Sequence, residues 1–361
     1  SEYNLFPICY FLLFIGERHG TLRYNMLFYC RIFTHKCQYI KSSKLRKILK
    51  KGRERKSKMS LQRIHTDLAL EAKEKFEEDN VEIRGVVIEE DYNQEKDIRT
   101  TVVRIETENG AKTMGRPQGV YITIEAPNLS VPDEDYHREI SKEIAHHVES
   151  LLPKKEDIRV LVAGLGNREI TPDALGPEVV ANLHITRHII KEYGIQGMGE
   201  EHASSISGIV PGVMAQTGME TLEIIRGVTE ETKPDVIIAI DALAARSIKR
   251  LNRTIQITDT GINPGSGVGN HRNGLNEAVL GVKVIGIGVP TVVDAATIVH
   301  DSMAHLLDTL EEAEKKEFLE EMIAPSLYSM FVTPKDVDDT IKRLSYTISE
   351  GLNFTFEKDK A

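Results

Sequence analysis

"VIIAIDALAARS", residues 236–247, is the stretch whose reading decides the fold. Five apolar residues, Val236 to Ile240, run straight into a carboxylate at Asp241. A short apolar run rich in β-branched residues suits a strand buried on both faces. The following "ALAARSIKR" is rich in alanine and reads as a helix. At that junction Asp241 is either a helix N-cap or a functional group. In open α/β sheets, ligands and catalytic groups gather outside the carboxyl ends of the strands, and the functional reading puts Asp241 there.

A second acid stands in the same setting. "IRVLVAGLGNREITPDALGPEVV", residues 158–180, has an apolar run from Val160 to Ala163, a glycine-containing turn, and then Asp173. Both runs lead to an acid followed by Ala-Leu. The turn "GLGNRE" is not a dinucleotide fingerprint, because Glu169 stands where the third Gly or Ala belongs. Its glycines are read as permitting a tight backbone turn.

Working outward, "RVLVAGLG", "DVIIAID", "RTIQITD" and "VKVIGIGVP" alternate with helical segments. That order predicts an α/β fold with a mainly parallel sheet covered on both faces. "VEIRGVVIEE", "TTVVRIETENG" and "GVYITIEAP" add peripheral strands. "DEDYHREISKEIAHHVESLL" is an amphipathic helix, and "HDSMAHLLDTLEEAEKKEFLEEM" and "VTPKDVDDTIKRLSYTISEGL" are also helical.

The chain has 361 residues and a formal charge of −9, unevenly spread. Residues 1–58 carry 14 Lys and Arg against 3 Asp and Glu; the remainder carries 32 against 52. An acidic body argues against direct nucleic-acid binding. Cys9, Cys30 and Cys37 all lie in the basic segment, so the other residues hold no thiol nucleophile, disulfide or thiolate metal site. The apolar run in "NLFPICYFLLFIGERHG" is too short to span a bilayer and lacks the flanks of a signal peptide. Residues 1–58 are therefore read as a non-native extension with Met59 as the natural start, against a membrane-associating leader as the rival.

Several other motifs carry less chemistry. "TGINPGSGVGN", residues 260–270, is either a structural loop or a site wall, with Gly265, Gly267 and Gly269 permitting close backbone approach. Ser266 lacks the outer glycines of a nucleophile elbow. His146 and His147 are adjacent on a helix and expected to point apart; His300 and His305 are five apart. His184 and His188 could share a helix face, but Ile185 replaces the glutamate of a zinc peptidase motif. Surface or packing roles are expected for these histidines. The aspartates remain. Two carboxylates brought together can split their pKa values, one holding a proton while the other activates water.

The blocks "GLGNREITPDALGP", "VPGVMAQTGMET", "DVIIAIDALAARSI", "TGINPGSGVGN", "GVPTVVDA" and "MFVTPKDVD" closely resemble the germination proteases of spore-forming bacteria, over about residues 64–355. The resemblance implies an atypical acid-residue endopeptidase that degrades small acid-soluble proteins coating spore DNA, in the cytoplasm of the spore core. It implies a homotetrameric zymogen that activates by losing an N-terminal propeptide. The catalytic aspartates would be Asp173 and Asp241, with no metal or cofactor. The implied fold is a three-layer α/β/α arrangement of the phosphorylase/hydrolase-like kind, related to hydrogenase maturation endopeptidases.

The family's substrates are cut after an acid, before an apolar residue and Ala, with Glu further on. "HTDLALE" has that order, which implies processing between Asp67 and Leu68. Residues 59–67 would be the propeptide and 68–361 a single peptidase domain. The processing segment is expected to be exposed and mobile. The basic leader and a short stretch between His300 and Leu319 depart from the family pattern. Two rivals stand beside this reading: a metal-assisted maturation endopeptidase using the same aspartates, and a non-enzymatic protein holding a small ligand in its glycine loops.

Overall fold

The computed structural model describes Leu68 and residues 84–199, 201–264, 273–304, 326–327 and 330–357. By its contacts the chain divides into residues 1–58 and 59–361, and every described residue belongs to the second unit.

The strands are β1 (Val86–Asn93), β2 (Ile98–Ile105), β3 (Gly119–Glu125), β4 (Arg159–Gly164), β5 (Ser205–Ile209), β6 (Val236–Ala245), β7 (Thr254–Thr258), β8 (Lys283–Asp294) and β9 (Phe331–Val332). They form one sheet in the order β1-β2-β3-β7-β8-β6-β4-β5, with β9 on β8. The helices that matter for the site are α1 (Glu108–Met114), α2 (Glu134–Leu151), α3 (Leu175–Ala181), α4 (Arg187–Tyr193), α5 (Thr221–Thr232), α6 (Ala295–Ala304) and α7 (Val337–Phe356).

The sheet is mixed, which corrects the expectation of a mainly parallel one. Among the described strands only the β4–β5, β4–β6 and β6–β8 pairs are parallel. The pairs β1–β2, β2–β3, β3–β7, β7–β8 and β8–β9 are antiparallel. Connection length accounts for two of the reversals. A parallel strand needs a crossover of a dozen or more residues, and the chain from β1 to β2, or from β6 to β7, is shorter than that. β7 therefore runs back against β6, and so against β8, which is parallel to β6.

A second correction falls on "ALAARS". It is not a helix; β6 continues through Ala242–Ala245, registered on β8 with an irregularity between Leu243 and Ala244. Helix propensity separates ordinary residues by less than about 0.7 kcal/mol each. Ala244 and Ala245 are buried beside β8, so tertiary pairing outweighs that preference. A helix also forms at "TENG", where the sequence suggests the end of a strand. Thr107 caps α1 by accepting from the Gly110 N–H, and Gly115 closes it at φ 65°.

Alternation along each parallel strand divides the core between two faces. On one face Val160, Val162, Val236, Ile238, Ile240, Ile285 and Ile287 pack with three helices. Ile140, Ile144 and Val148 come from α2, Leu175 and Val179 from α3, and Ile341, Leu344, Ile348 and Leu352 from α7. On the opposite face Leu161, Ala163, Ile237, Ala239 and Val284 pack with Leu222 and Ile225 of α5. His137 of α2 is a packing histidine, its ring nitrogens 2.7 Å from Thr347 Oγ1 and 2.9 Å from the Val131 carbonyl. Among the described residues no helix is long and apolar enough to cross a membrane.

Candidate active site

From β4 the chain runs through α3 and α4 to β5 on one side, and from β5 through α5 to β6 on the other. The carboxyl ends of β4 and β6 therefore flank a topological switch point, where open α/β sheets place their sites. β4 ends at Gly164, registered on Ile240, and the last bond of the pair runs from the Leu165 N–H to the Ile240 carbonyl at 2.8 Å. β6 continues for five residues past Ile240, so the two chains separate beside Asp241.

Asp241 is 5% exposed and registered opposite Gly288 of β8. Its Oδ1 accepts from the Ala242 N–H at 3.0 Å. Strand alternation puts its side chain on the face of Ile237, Ala239 and Leu243. The N-cap reading of Asp241 is set aside, because the residue lies inside a strand.

Asp173 is half-buried and ends a 3-10 turn, Thr171–Asp173, that packs against β6 and β8. Its Oδ2 accepts from the Asn167 N–H at 2.7 Å. Gly166 has φ 110°, and a Cβ there would stand 2.0 Å from the Asp173 carbonyl oxygen. Only glycine fits that close approach. The turn is also held from β8, where the Thr291 hydroxyl donates to the Pro172 carbonyl at 2.6 Å. Three residues after Asp173, Gly176 lies over the β4–β6 junction, its hypothetical Cβ 2.5 Å from the Ile240 carbonyl. These contacts pack the turn bearing Asp173 against β6, the strand bearing Asp241, and against β8.

Leu68 is fully buried in a small cluster with Leu243 and Ala245, against which Ile262 packs. That corrects the expectation of an exposed processing segment at this residue. An apolar side chain beside an apolar strand end is more stable in contact with it than in water. Asp67, Ser266 and the glycines at 265, 267 and 269 lie outside the described residues.

Of the histidines singled out above, His305 lies outside the described residues. His184 precedes α4 and pairs with the Glu357 carboxylate, so it shares no helix face with His188. His146 and His147 do not point apart; their rings meet edge to face with centroids 5.2 Å apart. Burial, with a smaller contribution from His146, lowers the His147 pKa to about 4. Among the described residues no group of three or more His, Cys, Asp or Glu is placed to hold a metal ion.

The sequence reading missed Asn167, Thr291 and Gly176. Thr291 carries a faint signal as a lone hydroxyl in the apolar run "VPTVV", where a buried polar group needs a partner. Gly176 carries another, as a glycine in the first turn of a helix, where a closer backbone approach is the usual reason.

A mixed α/β sheet with a topological switch point between β4 and β6 defines an α/β protein of the kind that binds at strand ends. Comparison with known proteins narrows that class. Residues 64–310 and 305–360 match the family model described as germination protease. The chain is 47% identical to a germination protease of Caldanaerobacter subterraneus over 311 residues, covering 81% of this chain and 94% of that protein. It is 46% identical to that of Clostridium tetani over 312 residues, covering 81% and 95%. Identity to that of Bacillus subtilis is 38% over 345 residues, covering 80% and 92%. The chain belongs to the germination protease family, and is thus an endopeptidase of spore germination.

Proposed function

We propose that this chain cleaves small acid-soluble spore proteins with Asp173 and Asp241 as an acid–base pair. The observation that supports the reading is the packing of the Thr171–Asp173 turn against β6, the strand that carries Asp241. One carboxylate takes a proton from water as its oxygen bonds to the scissile carbonyl carbon. The other gives a proton to the departing nitrogen as the C–N bond breaks. One water is consumed and a carboxyl and an amine are produced; the pair gains one proton and gives up one, so its total is unchanged, and proton transfer between the two carboxylates or through solvent resets which of them is protonated.

The test is incubation with a purified small acid-soluble spore protein, with fragments read by mass spectrometry. Discrete fragments are expected once the parent chain has processed itself. Asp173→Asn and Asp241→Asn should each lower kcat/KM by about 10²-fold or more, the scale of positioned proton transfer, with unchanged circular dichroism. Near-normal activity in either variant removes that residue from the mechanism.

The rest of the reading follows the family. The protein is made as a self-processing homotetrameric zymogen of the spore core, cut between Asp67 and Leu68, with residues 68–361 the peptidase domain. Its fold is the three-layer arrangement shared with hydrogenase maturation endopeptidases. The metal-assisted rival uses the same aspartates. Chelators are expected to leave activity unchanged; stoichiometric metal, with activity lost on its removal and regained on its return, favours the rival.

A further inference from the structure

We infer that Gln216, in the segment between β5 and α5, is a positioning residue for the peptidase reaction and acts through Asn167 on the carboxylate of Asp173. The inference rests on the acid–base reading of Asp173 and deepens it by naming what holds that group in place.

The path of contacts is short. The Asn167 N–H donates to Asp173 Oδ2 at 2.7 Å, the short end of the range for such bonds. The direction of that N–H therefore helps to set where the carboxylate sits. Gly166 precedes it, and glycine is the residue least restrained by its own backbone, so the orientation of the Gly166–Asn167 peptide depends on contacts. Two of these lie within the turn and move with it. The Asn167 carbonyl accepts from the Ile170 N–H at 3.1 Å, and its Oδ1 accepts from the Glu169 N–H at 3.0 Å. The next comes from outside. Gln216 Nε2 donates to the same Oδ1 at 2.9 Å.

Gln216 is exposed, yet it is seated. It belongs to the helical turn Met214–Thr217, which Gly218 closes at φ 72°. Its Oε1 accepts from the Val213 N–H at 3.4 Å, which turns the Nε2 end toward Asn167. Rotating the amide by half a turn would set oxygen against oxygen at one end and N–H against N–H at the other, so the two bonds enforce one orientation. The far end of the segment is anchored too, where Glu220 Oε2 accepts from Asn273 Nδ2 at 2.9 Å. Thr291 thus ties the turn to β8 at Pro172, and Gln216 ties it at Asn167 to the segment that follows β5. A hydrogen bond between exposed amides adds little to folding, because water replaces it readily. Its loss is felt in the reaction, where the placement of Asp173 matters.

Two measurements on the processed protein read the two halves of the inference: cleavage of a purified small acid-soluble spore protein, and amide hydrogen exchange over residues 165–173. Gln216→Leu removes the donor and should lower kcat about tenfold while KM stays within about twofold, the pattern of a contact that serves the transition state. Exchange over residues 165–173 should quicken about fivefold, because the turn opens more often. Gln216→Lys keeps a donor of similar reach and should return kcat to within about threefold of the parent.

Unchanged kcat in Gln216→Leu overturns the positioning role and leaves the peptidase reading standing, as does a rise in KM alone, which would make Gln216 a binding group. Equal losses in the Leu and Lys variants overturn the hydrogen bond as the cause. Absence of cleavage by the parent, with faster exchange in Gln216→Leu, overturns the peptidase reading and supports the hold of Gln216 on the turn. Absence of cleavage with equal exchange overturns both.

Discussion

Gly176→Ala isolates the contact that seats α3 on the sheet. An added Cβ would stand 2.5 Å from three backbone atoms: the Ile240 carbonyl oxygen and the nitrogen and oxygen of Leu165. Ordinary contacts are about 3.5 Å or longer, so α3 must retreat by roughly 1 Å. The strand atoms cannot yield, because the Leu165 N–H and the Ile240 carbonyl are bonded to each other at 2.8 Å. Alanine gains at most about 1 kcal/mol over glycine in a helix, while overpacking costs about 1–3 kcal/mol. With the full alanine gain the net loss is about 0–2 kcal/mol. Asp173 is three residues upstream in the adjoining turn, and in its proposed role a displacement of about 1 Å can cost about 10²-fold in rate. The control is Gly227→Ala in α5, where an added Cβ meets nothing within 4 Å. That variant should be stabilised by about 0.5–1 kcal/mol with unchanged activity. Thermal melts and kcat/KM on one peptide substrate read both effects. A Gly176→Ala protein as active as its parent would refute the claim that α3 positions Asp173.

Thr291→Val removes the 2.6 Å bond to the Pro172 carbonyl at nearly constant volume. It should cost about 1 kcal/mol in a urea titration and lower kcat/KM several-fold, since the turn loses its tie to β8. His147 makes stability depend on pH. Its folded pKa is about 4, below the unfolded value of about 6.5, so the unfolded chain takes up the proton first. Its contribution is intact above about pH 6.5 and lost as pH falls toward 4, by about 1–2 kcal/mol after allowance for solvent and for Glu143 3.7 Å away. His147→Leu should flatten that slope in urea midpoints compared at about pH 7 and about pH 5; an unchanged slope would exclude this residue as its source.

What the sequence disclosed was local. The runs at Val160–Ala163, Val236–Ile240, Thr254–Thr258 and Lys283–Val289 are dense in β-branched residues, and each became a strand. The helices α2 and α7 showed their 3.6-residue period because one side of each is buried and the other wet. Strand direction was not disclosed, because a buried strand has the same composition whichever way its neighbour runs. The two acids could be named after apolar runs, though Asp241 proved to lie inside β6 and Asp173 in a 3-10 turn. Thr291, far along the chain from Asp173, could not be linked to the turn that holds Asp173. Such a bond exists only once the sheet order is known.

The strand found where "ALAARS" suggests a helix bears on the mechanism. Had a helix begun at Asp241, its carboxylate would have been consumed in capping backbone N–H groups at the helix start. The strand instead continues, and once β4 stops at Gly164 its edge on that side has no strand neighbour among the described residues. Small alanines at 242, 244 and 245 let that extension pack closely along β8, with Leu243 the one large side chain among them. A buried carboxylate inside an apolar strand is disfavoured unless its surroundings compensate it. Its position between Ile240 and Leu243, with the Asp173 turn packed on the same strand, is the kind of local conflict that the proposed acid–base role would account for.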